Sequence, residues 1–296
     1  MFGVKSLSPL SKILWQSNRG IREMAKKPTY VEWVERKPGK KPRPIQDPRG
    51  DTEKVHYRIY ELLDRVQRPE FLHSATRGRS IVTNAGRHRG AVPSVATDMK
   101  GCYDATTVHH VAAFFVADLQ IASDLAWKLA LICTVHGHLP TGSCLSPLLA
   151  YWSHRQAFNE IEALCAAAGV RMTVYVDDLT LSGEHANLQL LWRCKAILAG
   201  VGLATHKDKS FPVGGHKMIT GVALSSRGLH VPNKRMRAIL DKLDLLAASP
   251  QADRQKLAQS LSGSIASANA ISKRTGALLK QRRGRLAPVA SATAPI

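Results

Sequence analysis

The alternation of apolar and polar positions predicts a chain of mixed helices and strands. Residues 28–50 alternate around a turn rich in Pro and Gly, which predicts a half-buried strand (VEWVER), a basic turn and a second strand. Residues 51–68 carry apolar side chains at helical spacing, which predicts a helix capped by Asp51 or Thr52.

The middle of the chain predicts helices that flank a few buried strands. We expect a short helix within RSIVTNAGRH, a buried strand in AVPSVATD that ends at Asp98, helical residues at 106–135, and one long helix at 145–168. The apolar segments RMTVYV and LTLSG predict a hairpin with Asp177 and Asp178 as its two-residue turn.

The remaining pattern completes an α+β chain. We expect a helix at 187–199, a hairpin of MITGVALSS and GLHVP around Arg227-Gly228, a basic helical segment from Asn233 onward, and a frayed end, APVASATAPI. This order predicts a split sheet that brings the end of one strand beside the turn of a hairpin distant in sequence. Asp98 is therefore expected close to Asp177 and Asp178.

The charge of the chain favours a polyanionic partner. The 296 residues include 42 Lys and Arg against 22 Asp and Glu, a formal net charge of +20. The basic residues are spread along a globular pattern, which favours nucleic-acid binding over a solubility surface or a basic tail. The basic first twenty residues resemble a transit peptide faintly, and an amphipathic helix that contacts nucleic acid is the favoured interpretation.

Cysteine usage and hydropathy indicate the cellular setting. The five cysteines are odd in number and form no CxxC pair, so neither a disulfide framework nor a zinc site is indicated. No apolar stretch reaches transmembrane length. We therefore expect a cytoplasmic protein without a membrane partner.

The three aspartates predict magnesium chemistry. Joining a nucleotide to a 3′ end requires positioned groups and neutralised charge, which two Mg²⁺ ions supply when clustered carboxylates hold them. Asp98, Asp177 and Asp178 are the predicted ligands of both ions, with Mn²⁺ as a substitute. Taken singly, a solvated hairpin tip or a helix cap would explain each acid equally well.

Three motifs resemble those of reverse transcriptases. Tyr175-Val176-Asp177-Asp178 is similar to YxDD, TDMKGCYDAT is similar to the first acidic motif with Asp98 leading, and HLPTGSCLSPLLA is similar to LPQGxxxSP. Their order and spacing agree with the family over residues 30–240. The resemblance implies a right-hand polymerase with fingers, a palm built on a split β-sheet with helices, and a small helical thumb.

Two shorter elements resemble bacterial retron enzymes. Asn84-Ala85-Gly86-Arg87-His88 is similar to their NAxxH element, and Ile219-Thr220-Gly221 is similar to VTG, with Ile in place of Val. Set apart from the polymerase motifs, a helix end and an ordinary strand would explain these elements.

The resemblance implies a nucleotide site. Tyr103 would lie under the incoming sugar and exclude a ribose 2′-OH. Lys40, Lys41 and Arg43 would clamp the triphosphate, and Lys209, with Lys207 as a near neighbour, would protonate the leaving pyrophosphate. Pro140, Thr141 and Gly142 would line this site, although Thr141 departs from the Gln usual in LPQG.

The resemblance also implies contacts with RNA and primer. The expected residues are Asn84, His88, Ile219, Thr220, Gly221, Lys280, Arg282 and Arg283, with Lys273, Arg274 and Arg285 as further basic thumb residues. The implied division is 1–94 for the N-terminal helix and fingers, 95–232 for the palm with a helical insertion at about 105–138, and 233–296 for the thumb.

The leading hypothesis is an RNA-directed DNA polymerase in antiphage defence. It would copy a structured non-coding RNA, which also primes, into single-stranded DNA from dNTPs, beside an accessory effector protein. An abortive-infection reverse transcriptase that makes untemplated or repetitive DNA is the alternative within polymerases. A non-catalytic RNA-binding scaffold that restrains a toxin is the alternative from another class.

Overall fold

The computed structural model describes residues 1–37, 39, 41–249 and 251–284 and divides the chain into two compact units. The first unit comprises Met1–Ser80 and Pro93–Ser210. The second comprises Ile81–Val92 and Phe211–Ile296, of which residues up to 284 are described. Each unit has its own hydrophobic core. None of the helices in the described ranges combines the length and apolar character needed to cross a membrane.

The first unit begins with two helices, a two-stranded hairpin and a long helix. Their bounds are α1 Leu7–Leu14, α2 Asn18–Lys26, β1 Tyr30–Glu35, β2 Arg43–Pro48 and α3 Gly50–Asp64. The strand–turn–strand prediction is confirmed, and β1 pairs antiparallel with β2.

Two details of this region differ from the predictions. Both faces of β1 are largely exposed, since Val31 and Trp33 are accessible on one face and Val34 on the other. The prediction that this strand is half-buried is therefore wrong. Alternation alone does not reveal how far the rest of the fold covers the faces of a two-stranded ribbon. Helix α3 begins at Gly50 after Arg49 rather than at an Asp51 or Thr52 cap; the Thr52 hydroxyl instead accepts a hydrogen bond from the Thr29 amide.

A four-stranded sheet of order β4-β5-β3-β6 forms the centre of the first unit. The strands are β3 Ser94–Met99, β4 Arg171–Tyr175, β5 Asp178–Ser182 and β6 Thr205–Phe211. β5 pairs antiparallel with β3 and β4, which confirms the predicted hairpin and its position beside Asp98. The predicted turn is off by one residue, because Val176-Asp177 make the turn and Asp178 already begins β5.

Six helices accompany this sheet. They are α5 Cys102–Ala105, α6 Val108–Ala117, α7 Ser123–Cys133, α8 Ser146–Ser153, α9 Arg155–Ala167 and α10 Leu188–Gly200. The single helix predicted at 145–168 is wrong, because the backbone breaks at His154, whose buried ring contacts the Thr106 hydroxyl. The helical pattern at 106–135 likewise covers two helices, with Gln120 at φ 52° between them. Both helices of each pair contribute to the same core, so the apolar spacing continues across the breaks.

The second unit combines α4, a three-stranded sheet and three C-terminal helices. Their bounds are α4 Ile81–Gly86, β7 Lys217–Ile219, β8 Val222–Ser225, β9 Gly228–His230, α11 Asn233–Ala248, α12 Gln251–Ile271 and α13 Lys273–Gly284. The basic helical segment after residue 233 is confirmed. The expected single hairpin is instead a β7-β8-β9 meander, since Thr220-Gly221 form an additional turn within MITGVALSS.

These elements confirm the α+β class. The three-part division at residues 94 and 232 stays a prediction. Lys40, Arg285 and the APVASATAPI end lie outside the described residues.

Candidate active site

Sheet register brings two of the three aspartates face to face. Asp98 near the end of β3 is the pairing partner of Asp178 at the start of β5, and a hydrogen bond joins their carboxyl groups. Asp177 occupies the adjoining turn, where its carbonyl accepts a hydrogen bond of 2.7 Å from the Met99 amide. The three acids, predicted from two separate motifs, are therefore neighbours at one end of the sheet.

The turn that carries Asp177 is conformationally strained. Val176 has φ 57°, a left-handed conformation that a β-branched residue rarely adopts. Such strain costs about 1–3 kcal/mol and persists only where surrounding structure holds it, commonly at functional sites. Here the flanking strands of the hairpin and the Met99 bond hold the turn.

The electrostatics of the three acids are those of carboxylates crowded without a cation. Burial, the hydrogen bond with Asp98 and repulsion from Asp98 and Asp177 raise the pKa of Asp178 to about 7. Burial also acts to raise the pKa of Asp98, but hydrogen bonds from Asp178 and Lys207, with the charge of Lys209, lower it overall. The pKa of Asp177 is raised because neighbouring atoms displace water from this turn residue and Asp98 repels its charge.

This donor set fits a hard divalent cation. Below about pH 7 a shared proton keeps one carboxyl of the Asp98–Asp178 pair neutral, and a divalent ion relieves the same repulsion without that proton. Within the described ranges, no group of three or more His, Cys, Asp or Glu side chains is placed so that these side chains alone could hold a metal ion. Mg²⁺ sites in phosphoryl transfer take several ligands from water and substrate phosphates, so carboxylates alone need not complete one.

A lysine of β6 makes the direct contact with this cluster. Lys207 Nζ lies 3.1 Å from Asp98 Oδ2, and the backbone of Lys207 has φ 57°. Lys209, the predicted acid, acts on Asp98 and Asp178 only through its charge. Asp208 between them accepts a hydrogen bond of 2.6 Å from Thr97 and pairs with Lys195, which anchors β6 beside Asp98.

Two of the predicted nucleotide residues, Tyr103 and Arg43, lie near the acids. Tyr103 on α5 follows Gly101, whose φ of 55° turns the chain after β3, and the Tyr103 carbonyl accepts from the Leu139 amide at 3.2 Å. The charge of Arg43 acts on both Tyr103 and Asp177. Lys41 is exposed in the segment before β2.

Hydrogen bonds join the LPTG segment to β2. The Thr141 hydroxyl donates to the Pro44 carbonyl at 2.8 Å, and the Gly142 amide donates to the Gln46 carbonyl at 2.9 Å. The carbonyl of Pro140 accepts from the Ser146 hydroxyl at 2.6 Å. Thr141, the residue that departs from the family motif, thus helps fix the strand that carries Arg43.

In the second unit, NAGRH and ITG contact each other. The Thr220 hydroxyl donates to the Ile81 carbonyl at 3.1 Å and lies 3.3 Å from the Asn84 amide nitrogen. Thr220 and Gly221 both have positive φ, 44° and 72°, as a two-residue hairpin turn of type I′ requires. The contacts with α4 therefore hold a β-branched residue in an unfavourable conformation.

Burial separates the predicted RNA-contacting residues into two groups. Asn84, His88 and Ile219 are at most 2% exposed, so their side chains offer little surface to RNA, and Asn84 instead contacts Thr220 in the β7–β8 turn. Thr220 and Gly221 remain accessible. On α13, Lys280 and Arg282 are exposed and Arg283 is partly so, while Arg282 lies 3.4 Å from Asp244.

Sequence reasoning missed β6 and Gln46. The strand THKDKSF has three consecutive charged residues at its centre and no apolar alternation, so its pattern predicts no element. Gln46 carries no motif, and only the fold reveals its contact with Thr141.

Comparison with solved structures gives weak overall similarity. A foamy viral protease–reverse transcriptase in complex with double-stranded DNA has a TM-score of 0.43 and 16% identity, covering 87% of this chain and 43% of that one. Apo telomerase from Candida tropicalis, truncated from its C-terminal domain, has a TM-score of 0.49 and 12% identity, covering 72% and 58%. No protein-family model matches the chain.

Sequence comparison with curated proteins finds retron reverse transcriptases among the relatives of this chain. The retron Se72 reverse transcriptase of Salmonella heidelberg is 24% identical over 189 residues, 61% of this chain and 49% of that protein. The Myxococcus xanthus Mx162 enzyme is 24% identical over 259 residues, 77% and 53%. The Escherichia coli Ec86 enzyme is 25% identical over 216 residues, 71% and 67%.

The chain spans about half the length of the first two of these relatives. All three are retron reverse transcriptases, the group that the NAGRH and ITG elements resemble. The resemblance is confirmed: the chain is a sequence relative of bacterial retron reverse transcriptases.

Proposed function

We propose that the chain is an RNA-directed DNA polymerase that copies a structured non-coding RNA into single-stranded DNA. The observation that carries this proposal is the paired Asp98 and Asp178 with Asp177 in the adjoining turn. The kinship with retron enzymes supports the use of RNA as template and of dNTPs as substrates. In this proposal the sheet of the first unit serves as the palm, the β1–β2 hairpin as part of the fingers, and α11–α13 as the thumb.

Each residue near the acids then has a role. Asp98, Asp177 and Asp178 would hold two Mg²⁺ ions, which neutralise the phosphates and stabilise the attacking and leaving oxygens when bound. Arg43 would bind the triphosphate, and Tyr103 would occupy the space that a ribose 2′-OH needs. Lys207 holds Asp98 in place, and Lys209 is the proposed proton donor to the departing pyrophosphate.

DNA synthesis by the purified protein tests the proposal. The protein is incubated with the RNA transcribed beside its gene, dNTPs and Mg²⁺, and the products are sequenced. We expect DNA that copies one segment of that RNA, and no DNA from the Asp177→Ala variant. A folded, RNA-bound preparation that makes no DNA would refute the polymerase.

The same experiment separates the alternatives. Untemplated or repetitive DNA would identify the abortive-infection type of enzyme. Retention of the biological phenotype by Asp177→Ala would support a scaffold that restrains a toxin. A role in antiphage defence with an accessory effector protein is proposed from the retron kinship, and loss of phage resistance in Asp177→Ala cells tests it.

A further inference from the structure

Two tyrosines on α3 form an aromatic platform that none of the predicted roles uses. Tyr57 and Tyr60 are three residues apart on one helical face, with ring centroids 6.4 Å apart and planes inclined by 24°. Tyr60 is partly buried against the core, whereas Tyr57 is 57% exposed. The outer tyrosine therefore presents a ring to solvent on a support that the core holds.

The platform borders an open groove with an excess of positive charge. The groove has a volume of about 580 Å³, a size typical of ligand sites, and is also lined by the exposed Arg65 and Arg77. Its two acids are paired with arginines that do not line it: Glu61 with Arg58 at 3.2 Å, and Asp64 with Arg68 at 2.8 Å.

Arg65 and Arg77 keep their charge available to a ligand. Neither has an ion pair in the part of the chain that the structure describes. Aromatic rings beside arginines are the combination that binds single-stranded nucleic acid, since bases stack on the rings while cations attract the phosphates.

The groove lies next to the catalytic hairpin, and hydrogen bonds anchor the loop that lines it. The loop that contributes residues 73–79 to the groove joins the edge of β4. There the His73 amide donates to the Val174 carbonyl at 2.9 Å, and the Val174 amide donates to the Phe71 carbonyl at 2.8 Å. The Arg79 guanidinium donates to the Leu72 carbonyl at 2.6 Å and braces the same loop. Tyr175, two residues before Asp177, lines the groove.

We propose that this groove binds unpaired bases of the RNA strand beside the catalytic site, with a base stacked on Tyr57 and phosphates drawn by Arg65 and Arg77. The proposal rests on the proposed function for its RNA partner. Only unpaired bases expose the ring faces that such a platform takes, because in a duplex those faces are stacked on neighbouring base pairs. The groove therefore distinguishes single-stranded from double-stranded segments of the bound RNA.

Equilibrium binding without dNTPs tests the groove independently of catalysis. The probes are one primer–RNA duplex with a 5′ RNA overhang of about six nucleotides and the same duplex with blunt ends, with 2-aminopurine in the overhang as a reporter of stacking. The proteins are wild type, Tyr57→Ala, Tyr57→Phe and Trp192→Ala. Trp192 is a matched control because it is 71% exposed on α10 and does not line the groove.

We expect Tyr57→Ala to weaken binding of the overhang RNA about 5- to 100-fold and to abolish the change in 2-aminopurine fluorescence. Binding of the blunt duplex should stay within about twofold of wild type, and Tyr57→Phe and Trp192→Ala should behave as wild type. Equal binding of the overhang RNA by wild type and Tyr57→Ala, or equal loss with both probes, would overturn the groove.

The two proposals fail separately. Tyr57-dependent binding in a protein that makes no DNA would support the proposed RNA groove and refute the proposed polymerase activity. Asp177-dependent DNA synthesis, together with RNA binding that Tyr57→Ala leaves unchanged, would support the polymerase activity and refute the RNA groove.

Discussion

Asp178 couples the charge of the site to pH. Its pKa of about 7 means that the metal-free folded protein keeps a proton that the unfolded chain releases near the ordinary value of about 4. Between these two values the folded state binds more protons, so the contribution of Asp178 to stability falls as pH rises. A divalent cation that binds the ionised carboxylates should reverse that loss.

We therefore predict that Mg²⁺ raises the melting temperature more at about pH 8 than at about pH 5.5, because at the lower pH the ion must displace the proton of Asp178. Thermal melts with and without Mg²⁺ at both pH values measure this. Asp178→Asn is the control, and its Mg²⁺ effect should be smaller and depend less on pH. An equal Mg²⁺ shift at both pH values in the wild type would contradict the prediction.

Tyr103 should determine the choice of sugar. It lies on α5 directly after the Gly101 turn, its carbonyl accepts a hydrogen bond from the Leu139 amide, and its hydroxyl is close enough to Asp177 to feel the charge of that carboxyl group. Tyr103→Ala should raise the efficiency of rNTP incorporation relative to dNTP about tenfold or more, since the excluding ring is gone. Tyr103→Phe keeps the ring and should keep the preference. Single-nucleotide incorporation kinetics give both ratios, and an unchanged ratio in Tyr103→Ala would assign the selection elsewhere.

At the scale of elements, the contact of β2 with the LPTG segment leaves no room for a side chain at residue 142. A Cβ there would lie 2.7 Å from the Gln46 carbonyl oxygen and 3.0 Å from the Asp47 Cα. Because both neighbours are backbone atoms, Gly142→Ala should lower the free energy of unfolding by about 1–3 kcal/mol and raise the KM for dNTPs.

Urea unfolding and steady-state kinetics measure the two effects of Gly142→Ala. Gly200→Ala is the matched control, because an added Cβ on that helical residue meets nothing within 4 Å. We expect Gly200→Ala to be neutral or slightly stabilising. Wild-type stability in Gly142→Ala would show that the two segments separate at no cost.

Most elements with a buried apolar face could be predicted from the sequence, whereas β6, which has no such face, could not. Alternation predicts the hairpin that contains Met172, Val174, Leu179 and Leu181, because each of these side chains enters the core. β6 has charged side chains at its centre and is placed by contacts such as Thr97 with Asp208, which depend on the complete fold. The break at His154 was missed for a similar reason, since its cause is a partner 48 residues away.

The candidate site follows the same rule. Adjacent acids and a third acid at a strand end are visible in the sequence, so Asp98, Asp177 and Asp178 could be named. The cross-strand pairing of Asp98 with Asp178, the contact of Lys207 and the anchoring by Gln46 arise from register and tertiary contacts. Likewise, Asn84 was expected to contact RNA, but the fold buries it against Thr220.

At the scale of the whole molecule, the net charge of +20 implies that RNA binding depends steeply on salt. A field of this size attracts any polyanion, so net charge alone does not say which basic residues touch phosphates. Local ion pairs help to separate basic residues that contact phosphates from those that add only to the overall field. Lys26, Lys54 and Lys128 each pair with an acid on their own helix at 2.8–3.2 Å. Lys280 and Arg283 carry no such pair in the described chain, and Arg282 has only a partner 3.4 Å away.

Two triple variants with equal loss of charge distinguish direct phosphate contacts by α13 from the electrostatic field of the whole protein. Replacing Lys280, Arg282 and Arg283 by Gln should reduce the slope of log affinity against log salt by about 2, because each lost phosphate contact on a single strand removes about 0.7. Replacing Lys26, Lys54 and Lys128 by Gln lowers the net charge equally and should change the slope by less than about 0.5. Titration of fluorescent RNA at several salt concentrations gives both slopes. Equal reductions would mean that the overall field, rather than the basic face of α13, holds the RNA.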